Sequence, residues 1–216
     1  MCQVQGTGKK MKDLKDRIVL ITGAGKGAGH ALAEAFAARG AFVAANDISP
    51  ANVEQVVDGI IARGGKAKAY VEDVAKKVGA QALVKSVEDD LGGIDILVNH
   101  AAVEPHTPLL NMDEWDWHRT LNVNLTGAFL MIQSVGRVMR ASSQHREKGN
   151  GVIINIVAGA GEGAEKEAGA YLSSKAGLAE LSRQAGKELS PYGVHVHTVE
   201  NSKDVVEHIL NLVEAK

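Results

Sequence analysis

The sequence predicts a doubly wound α/β fold carrying a parallel sheet of about six strands. Short β-branched runs alternate with stretches of helical spacing. Each run is almost wholly apolar, as strands buried on both faces are. No repeat or low-complexity linker interrupts the alternation. Strands alternating with helices form βαβ units, which connect right-handedly and place helices on both faces of the sheet.

Taken in order, residues 1–16 read as a flexible, solvated tail, where Lys9, Lys10, Lys12 and Lys15 are interrupted by Asp13 and Asp16. Residues 17–216 read as a single domain. The expected strands are Ile18–Thr22, Phe42–Asp47, Ala67–Val71, Ile94–Asn99, Val152–Val157 and Val194–Val199. Helical stripes lie between them: Leu32 and Phe36; Val53, Val56, Val57, Ile60 and Ile61; Leu83, Val87 and Leu91; Leu178, Leu181, Ala185 and Leu189. A last stripe, Val205, Val206, Ile209, Leu210 and Val213, falls within Lys203–Ala215.

Composition narrows the function. The 216 residues carry 24 Lys and Arg against 26 Asp and Glu, a formal charge of -2. Nothing in that balance drives binding to a phosphate backbone, so no nucleic-acid partner is expected. No apolar run reaches the ~18 residues of a membrane helix, and residues 1–15 hold no apolar stretch of a signal peptide. Cys2 is the single cysteine, which excludes intramolecular disulfides and cysteine-rich metal sites. A soluble, cytoplasmic protein is expected, with no membrane partner.

The first strand runs into Thr22-Gly23-Ala24-Gly25-Lys26-Gly27-Ala28-Gly29 and then an alanine-rich helix. Glycine lets the main chain turn sharply and approach a pyrophosphate without a Cβ clash. The N–H groups of the helix start then face the phosphates. The spacing G-x-x-x-G-x-G is neither the commonest dinucleotide fingerprint nor a P-loop. Asp47 ends the second strand, where a carboxylate accepts hydrogen bonds from an adenosine ribose and repels a 2′-phosphate. It favours NAD, while a cation at Lys26 leaves NADP as the alternative; a turn or cap role for Asp47 is the plainer reading. Asp73, followed by Val74, either touches the adenine edge or caps the next helix.

Tyr171 and Lys175 are four apart on an expected helix and share its face. An ammonium beside a phenol favours the phenolate, so the pair can exchange a proton with an alcohol or carbonyl.

With these motifs in order, the chain resembles the short-chain dehydrogenase/reductase family over roughly Ile18–Val199. Thr22–Gly29 matches its TGxxxGxG. Asn99-His100-Ala101-Ala102 stands where the family has NNAG. Trp115–Gly127 resembles its helix-opening stretch, and Asn124 matches its active-site Asn. The resemblance implies a Rossmann-like dinucleotide-binding, catalytic domain and an NAD(P)-dependent oxidoreductase that moves a hydride between cofactor and a small alcohol or ketone. It implies that Tyr171 gives or takes the proton, that Lys175 binds the nicotinamide ribose and tunes Tyr171, and that Asn124 holds a relay water. Asn99 and Ala101 then line the cofactor beside Thr22, Gly23, Gly25, Lys26, Gly27 and Gly29. Asn99 is read as a structural hydrogen-bonder.

Two departures stand out. The family's catalytic serine lies thirteen residues before the tyrosine, and here that position is Ala158. By analogy with losing an oxyanion donor, this costs ~10²–10³ in rate unless Ser173, Ser174 or His100 compensates. Asn201-Ser202 occupies the family's Pro-Gly position, and the helix of Lys203–Ala215 follows directly. The covering segment and the seventh strand are therefore expected to be missing. The alternative function is a weakly active or inactive NAD(H)-binding module used for sensing or assembly.

Three smaller features complete the reading. His195 and His197 face one side of a strand, and a sheet-edge pair is preferred over a metal site. The sequon at Asn124 is rejected, because it lies in a helix. The family pairs through two helices that here contain Asn124–Met139 and Tyr171–Leu189, so a homodimer is expected, with a tetramer as the alternative. Ala170, Ala176, Gly177 and Ala179 would permit close helix approach. Val194–Val199 would be an edge strand, blunted by its histidines or covered by the last helix.

Overall fold

The computed structural model describes residues 14–143, 151–158 and 167–214. Cys2, the lysines up to Lys12, Asp13 and Gly159 lie outside the described residues. Six strands form one parallel sheet: β1 Ile18–Thr22, β2 Phe42–Asp47, β3 Lys66–Val71, β4 Ile96–Asn99, β5 Gly151–Val157 and β6 Val194–Glu200. Their order is β3-β2-β1-β4-β5-β6. The helices are α1 Gly27–Ala37, α2 Pro50–Ala62, α3 Lys77–Leu91, α4 Glu114–Leu121, α5 Ala128–Ser143, α6 Gly169–Leu189 and α7 Val205–Glu214. A six-residue π-helical stretch, Asn122–Gly127, joins α4 to α5.

Alternation along the strands divides the core in two. Val19 and Ile21, Val43 and Ala45, Ile96 and Val98, and Ile154 and Ile156 face α1, α2 and α7. Leu20, Ala44, Leu97 and Ile153 face α3, α5 and α6. Period-2 side-chain placement in a sheet covered on both faces produces this division. From β1 the chain winds one way to β3, and from β4 it winds the other way to β6. The reversal falls between β1 and β4, where Thr22 lies opposite Asn99. A crevice outside the strand ends at such a reversal is where α/β sheets bind ligands.

Several expectations need correction. Strand β4 starts at Ile96, not Ile94, because Asp95 bridges the ladder: its Oδ2 accepts from Ile18 N at 2.8 Å and its own N donates to Ile18 O at 2.9 Å. Strands β3 and β6, at the two ends of the strand order, are not buried on both faces, because the helices cover them less completely than the central strands. Lys66 and Lys68 stand outward on β3. Ile61 is exposed, so the α2 stripe ends at Ile60. Leu14 is buried against the α1 side of the core, which places it in the domain rather than in a solvated tail.

The last helix packs on a sheet face beside α1 instead of across the β6 edge. Val205, Ile209, Leu210 and Val213 enter the core with Leu32 and Phe36. Arg39 Nε donates to Glu214 Oε1 at 2.9 Å and ties the end of α1 to α7. His195 and His197 stack on β6 with centroids 6.4 Å apart. Among the small residues of α6, Ala170 and Gly177 serve the chain's own packing, while Ala176 is exposed. Ala170 is fully buried, and a Cβ at Gly177 would meet Leu125 Cδ2 at 3.1 Å. Among the described residues, no helix is long and apolar enough to cross a membrane.

Candidate active site at the reversal of the sheet

The site begins with backbone groups that β1 and β4 no longer share. Thr22 Oγ1 accepts from His100 N and from Ala101 N, each at 3.2 Å. His100 Nδ1 lies 3.0 Å from Gly23 O; a carbonyl accepts, so Nδ1 carries the proton. Burial lowers the His100 pKa, and the Lys175 charge adds to that against the bond to Gly23, so the ring is neutral near pH 7. This bond leaves His100 no role at the substrate oxygen through Nδ1.

The glycine loop is tightly built. Gly23 adopts φ +68 and Gly27 φ +54, the left-handed region that glycine enters without strain. A Cβ at Gly29 would lie 2.3 Å from Gly23 O, so the start of α1 can approach the loop only as glycine. Gly25 N donates to Asp47 Oδ2 at 3.0 Å, and Ser49 N donates to Asp47 Oδ1 at 2.9 Å. Asp47 thus performs the turn role. A carboxylate has about four acceptor sites, so it retains capacity for a ribose hydroxyl. Lys26 is exposed at the entry to α1. Asp73 closes a turn ahead of α3 rather than capping it, accepting from Ala75 N at 3.0 Å and pairing with Lys76 Nζ at 3.3 Å.

A cleft of about 690 Å³ opens here, lined among others by Gly23, Asp47, Asp73, Val74, Ala101 and Arg119. Its size falls in the range of small-molecule and cofactor sites, roughly 300–1,000 Å³. Behind it Asn99 Nδ2 donates to Asn155 Oδ1 at 2.8 Å, and Asn155 Nδ2 donates to Ser182 Oγ at 2.8 Å. Asn99 Oδ1 is buried with no hydrogen-bond partner among the described residues. A buried acceptor left open beside a cleft has a reason to meet a ligand's donor. The close-packed glycines, the free valences of Asp47 and this open oxygen fit a dinucleotide.

Asn124 and Ser174 are committed to structure. Asn124 Oδ1 accepts from Val103 N at 2.8 Å, while its Nδ2 donates to Val103 O at 2.9 Å and to Ser174 Oγ at 3.0 Å. Ser174 Oγ donates to Tyr171 O at 2.6 Å. Ser174 therefore does not take the place of a serine at 158, and Ser173 is exposed. The network pins the chain after β4 to the start of α6.

Tyr171 and Lys175 share the inner face of α6 as their spacing requires, with Nζ 5.6 Å from the tyrosine ring centroid. Lys175 is 3% exposed and donates to Ile156 O at 2.7 Å. Burial pulls its pKa down to about 8, against a smaller opposing pull from Glu104. The sequence implies that Lys175 lowers the Tyr171 pKa, and in the structure other groups act on it as well. Burial raises the Tyr171 pKa, Glu104 raises it further, and only a hydrogen bond with the Asn201 side chain acts the other way. Glu104 and Asn201 are the site residues that sequence reasoning missed. Neither belongs to a motif, and Asn201 was met only as a replacement for proline.

Comparison with known proteins identifies the family. Residues 17–202 match the family model for short chain dehydrogenase. The D-threitol dehydrogenase of Mycolicibacterium smegmatis is 36% identical over 186 residues, covering 86% of this chain and 69% of that protein. An NAD+-bound xylitol dehydrogenase superimposes with TM-score 0.81 at 30% identity, over 88% of this chain and 71% of that one. A metagenomic short-chain oxidoreductase in complex with NADP gives TM-score 0.85 at 28% identity, over 95% and 93%. The chain belongs to the short-chain dehydrogenase family. It is an oxidoreductase of the kind that acts on CH–OH groups with a nicotinamide cofactor.

The buried amine makes a stability prediction. Between about pH 8 and the ordinary lysine value, the unfolded chain holds a proton that the native chain has lost, so wild-type stability rises with pH there. Lys175→Met lacks this slope. At pH 7 it should be the more stable protein by roughly 1–3 kcal/mol, net of the lost bond to Ile156. The difference should shrink by pH 10, as urea unfolding at both pH values will read.

Proposed function

We infer that this chain is an NAD-preferring alcohol/ketone oxidoreductase in which Tyr171 is the general acid/base. The observation that carries the reading is the placement of Tyr171 and Lys175 on one inner face of α6, with Lys175 lining a small cavity that shares Val74, Ala101 and Val123 with the cleft at the reversal of the sheet. A bound nicotinamide would supply or take the hydride. Tyr171 Oη gives its proton to the substrate oxygen in reduction and takes it back in oxidation. Lys175 Nζ turns from Ile156 O toward the nicotinamide ribose, and Asn124, whose Nδ2 is used by Val103 O and Ser174 Oγ, supports a relay water through the acceptor site that its Oδ1 keeps beyond Val103 N. Gly23, Gly25, Gly27 and Gly29 with Lys26 hold the pyrophosphate, Asp47 the adenosine ribose, and Asp73 and Val74 the adenine edge. The NADP-bound relative, matched over 93% of its own length, supports cofactor binding by a domain of this extent.

The protein acts as a cytoplasmic homodimer in this reading. A groove of about 480 Å³ between α5 and α6 sets Phe129, Ile132, Leu181, Leu189 and Tyr192 beside polar and charged residues such as Arg137, Arg140 and Glu188, a mixed surface suited to a second copy. Ala158 favours one other reading, a cofactor-binding module of weak or no activity, because a methyl cannot donate to the substrate oxygen.

Calorimetry should show NADH binding more tightly than NADPH, with Asp47→Ala narrowing the gap. Binding of neither nucleotide would remove the cofactor reading. With D-threitol and xylitol as first probes in a panel of secondary alcohols and ketones, Tyr171→Phe should keep NADH binding and lower turnover by ~10²–10⁴. An unchanged rate would remove Tyr171 from proton transfer. In sedimentation at micromolar concentration the chain should run as a dimer, and Leu181→Asp should shift it to monomer; a stable wild-type tetramer or monomer contradicts the assembly.

A further inference from the structure

Helix α4 forms a wall of the cleft that the proposed dinucleotide contacts leave unused. Trp115, Arg119 and Asn122 line the cleft together with Asp47, Ile48 and Val74. Positions four and seven apart fall on one side of a helix, so α4 meets the cleft along a single stripe. Trp115 and Ile48 are 67% and 68% exposed. Two large apolar side chains left in water at one cleft have a ligand's apolar surface to gain. Arg119 is held by its own helix. Its guanidinium carbon lies 5.2 Å from the centroid of the Trp115 ring, and Nη1 lies 4.0 Å from Asp116 Oδ1. A cation within about 6 Å of an indole face is attracted to it, and a flat guanidinium can stack on a second planar group. The indole and the guanidinium thus form a platform at the cleft.

Charge decides what that platform takes. Asp47, Glu72 and Asp73 line the same cleft. Two of its cations are already matched, Lys76 with Asp73 at 3.3 Å and Arg119 with Asp116. An added phosphate would meet three carboxylates, and like charges repel. An uncharged planar base meets no such opposition. We propose that Arg119, backed by Trp115, stacks on the adenine of the dinucleotide, so that α4 supplies a base-binding wall of the cleft. The proposal rests on the reading of the cleft as a dinucleotide site. In that reading Asp73 and Val74 meet the edge of the ring, and the platform meets its face. Stacking uses the flat shape of the guanidinium and not only its charge, which a lysine would also carry.

The test reads binding and needs no substrate. 5′-AMP carries the adenine half of the cofactor, and nicotinamide mononucleotide carries the other half. The chain has two tryptophans, Trp115 and Trp117, so the emission change that is lost in Trp115→Phe belongs to Trp115. AMP should change that emission, and nicotinamide mononucleotide should not. Arg119 is exposed, so truncating it should spare the fold. In calorimetry Arg119→Ala should weaken AMP and NADH by roughly three- to tenfold and leave nicotinamide mononucleotide as it was. Arg119→Met should repeat this loss and replaces the alanine variant if that one fails to fold. Arg119→Lys, which keeps the charge without the flat group, should fall as far. Trp115 emission indifferent to AMP, wild-type AMP affinity in Arg119→Lys, or an equal loss for both mononucleotides overturns the proposal. So does a larger loss for adenosine 2′,5′-bisphosphate than for AMP, which would make Arg119 a phosphate ligand. If NADH binds and the Arg119 substitutions leave AMP binding unchanged, the platform fails and the dinucleotide reading stands. If the wild-type chain binds neither NADH nor AMP, that reading fails and the platform falls with it.

Discussion

Where β1 and β4 part, main-chain donors and acceptors lose their ladder partners while still shielded from water, and the rest of the site follows from how they are satisfied. Thr22 takes two of the donors, His100 takes the carbonyl of Gly23, and Asn124 takes both polar groups of Val103. Each side chain does for the loop what a neighbouring strand would have done. The crevice stays open because these bonds hold its walls apart. Leaving one such buried group unmet costs about 1–3 kcal/mol, so the polar residues at the mouth contribute to folding as well as to chemistry.

Much of this was legible in the sequence, because much of it is local. Two strands, Ile18–Thr22 and Phe42–Asp47, begin and end where the apolar runs do. The glycines sit where a turn and a close approach require them. The four-residue spacing of Tyr171 and Lys175 places both on one helix face by geometry alone. Beyond local geometry the sequence was silent or misleading. Ile94 looked like strand because it is apolar, but Asp95 takes a ladder position across the sheet. Asn124 looked like an active-site side chain, and spacing gave no sign that its amide also holds a backbone segment 21 residues away. The direction of the Tyr171 shift depends on burial, on Glu104 and on Asn201. These meet only after the sheet has closed, so spacing along the chain carries no trace of them.

Lys175 shows a tension between stability and chemistry. Its ammonium sits in the interior, where it donates to Ile156 O, and burial weakens its hold on the proton. An amine under that pressure is ready to change partner when a better set of acceptors arrives, and ribose hydroxyls are such a set. The strain of carrying a charge inside is thereby spent on readiness to bind.

The π-helical stretch at Asn122–Gly127 fixes the angular phase of everything beyond it. A helix advances about 100° per residue, and a π segment absorbs an extra residue without breaking the rod. Loss of a single residue there would let α4 and α5 fuse into one regular helix, locally the more comfortable state. The same loss would swing Asn124 a quarter turn or more from Val103 and rotate the apolar side of one helix relative to the other. This short segment should therefore tolerate replacement of side chains far better than any change in length: it behaves as a spacer whose residue count is under tighter constraint than its chemistry.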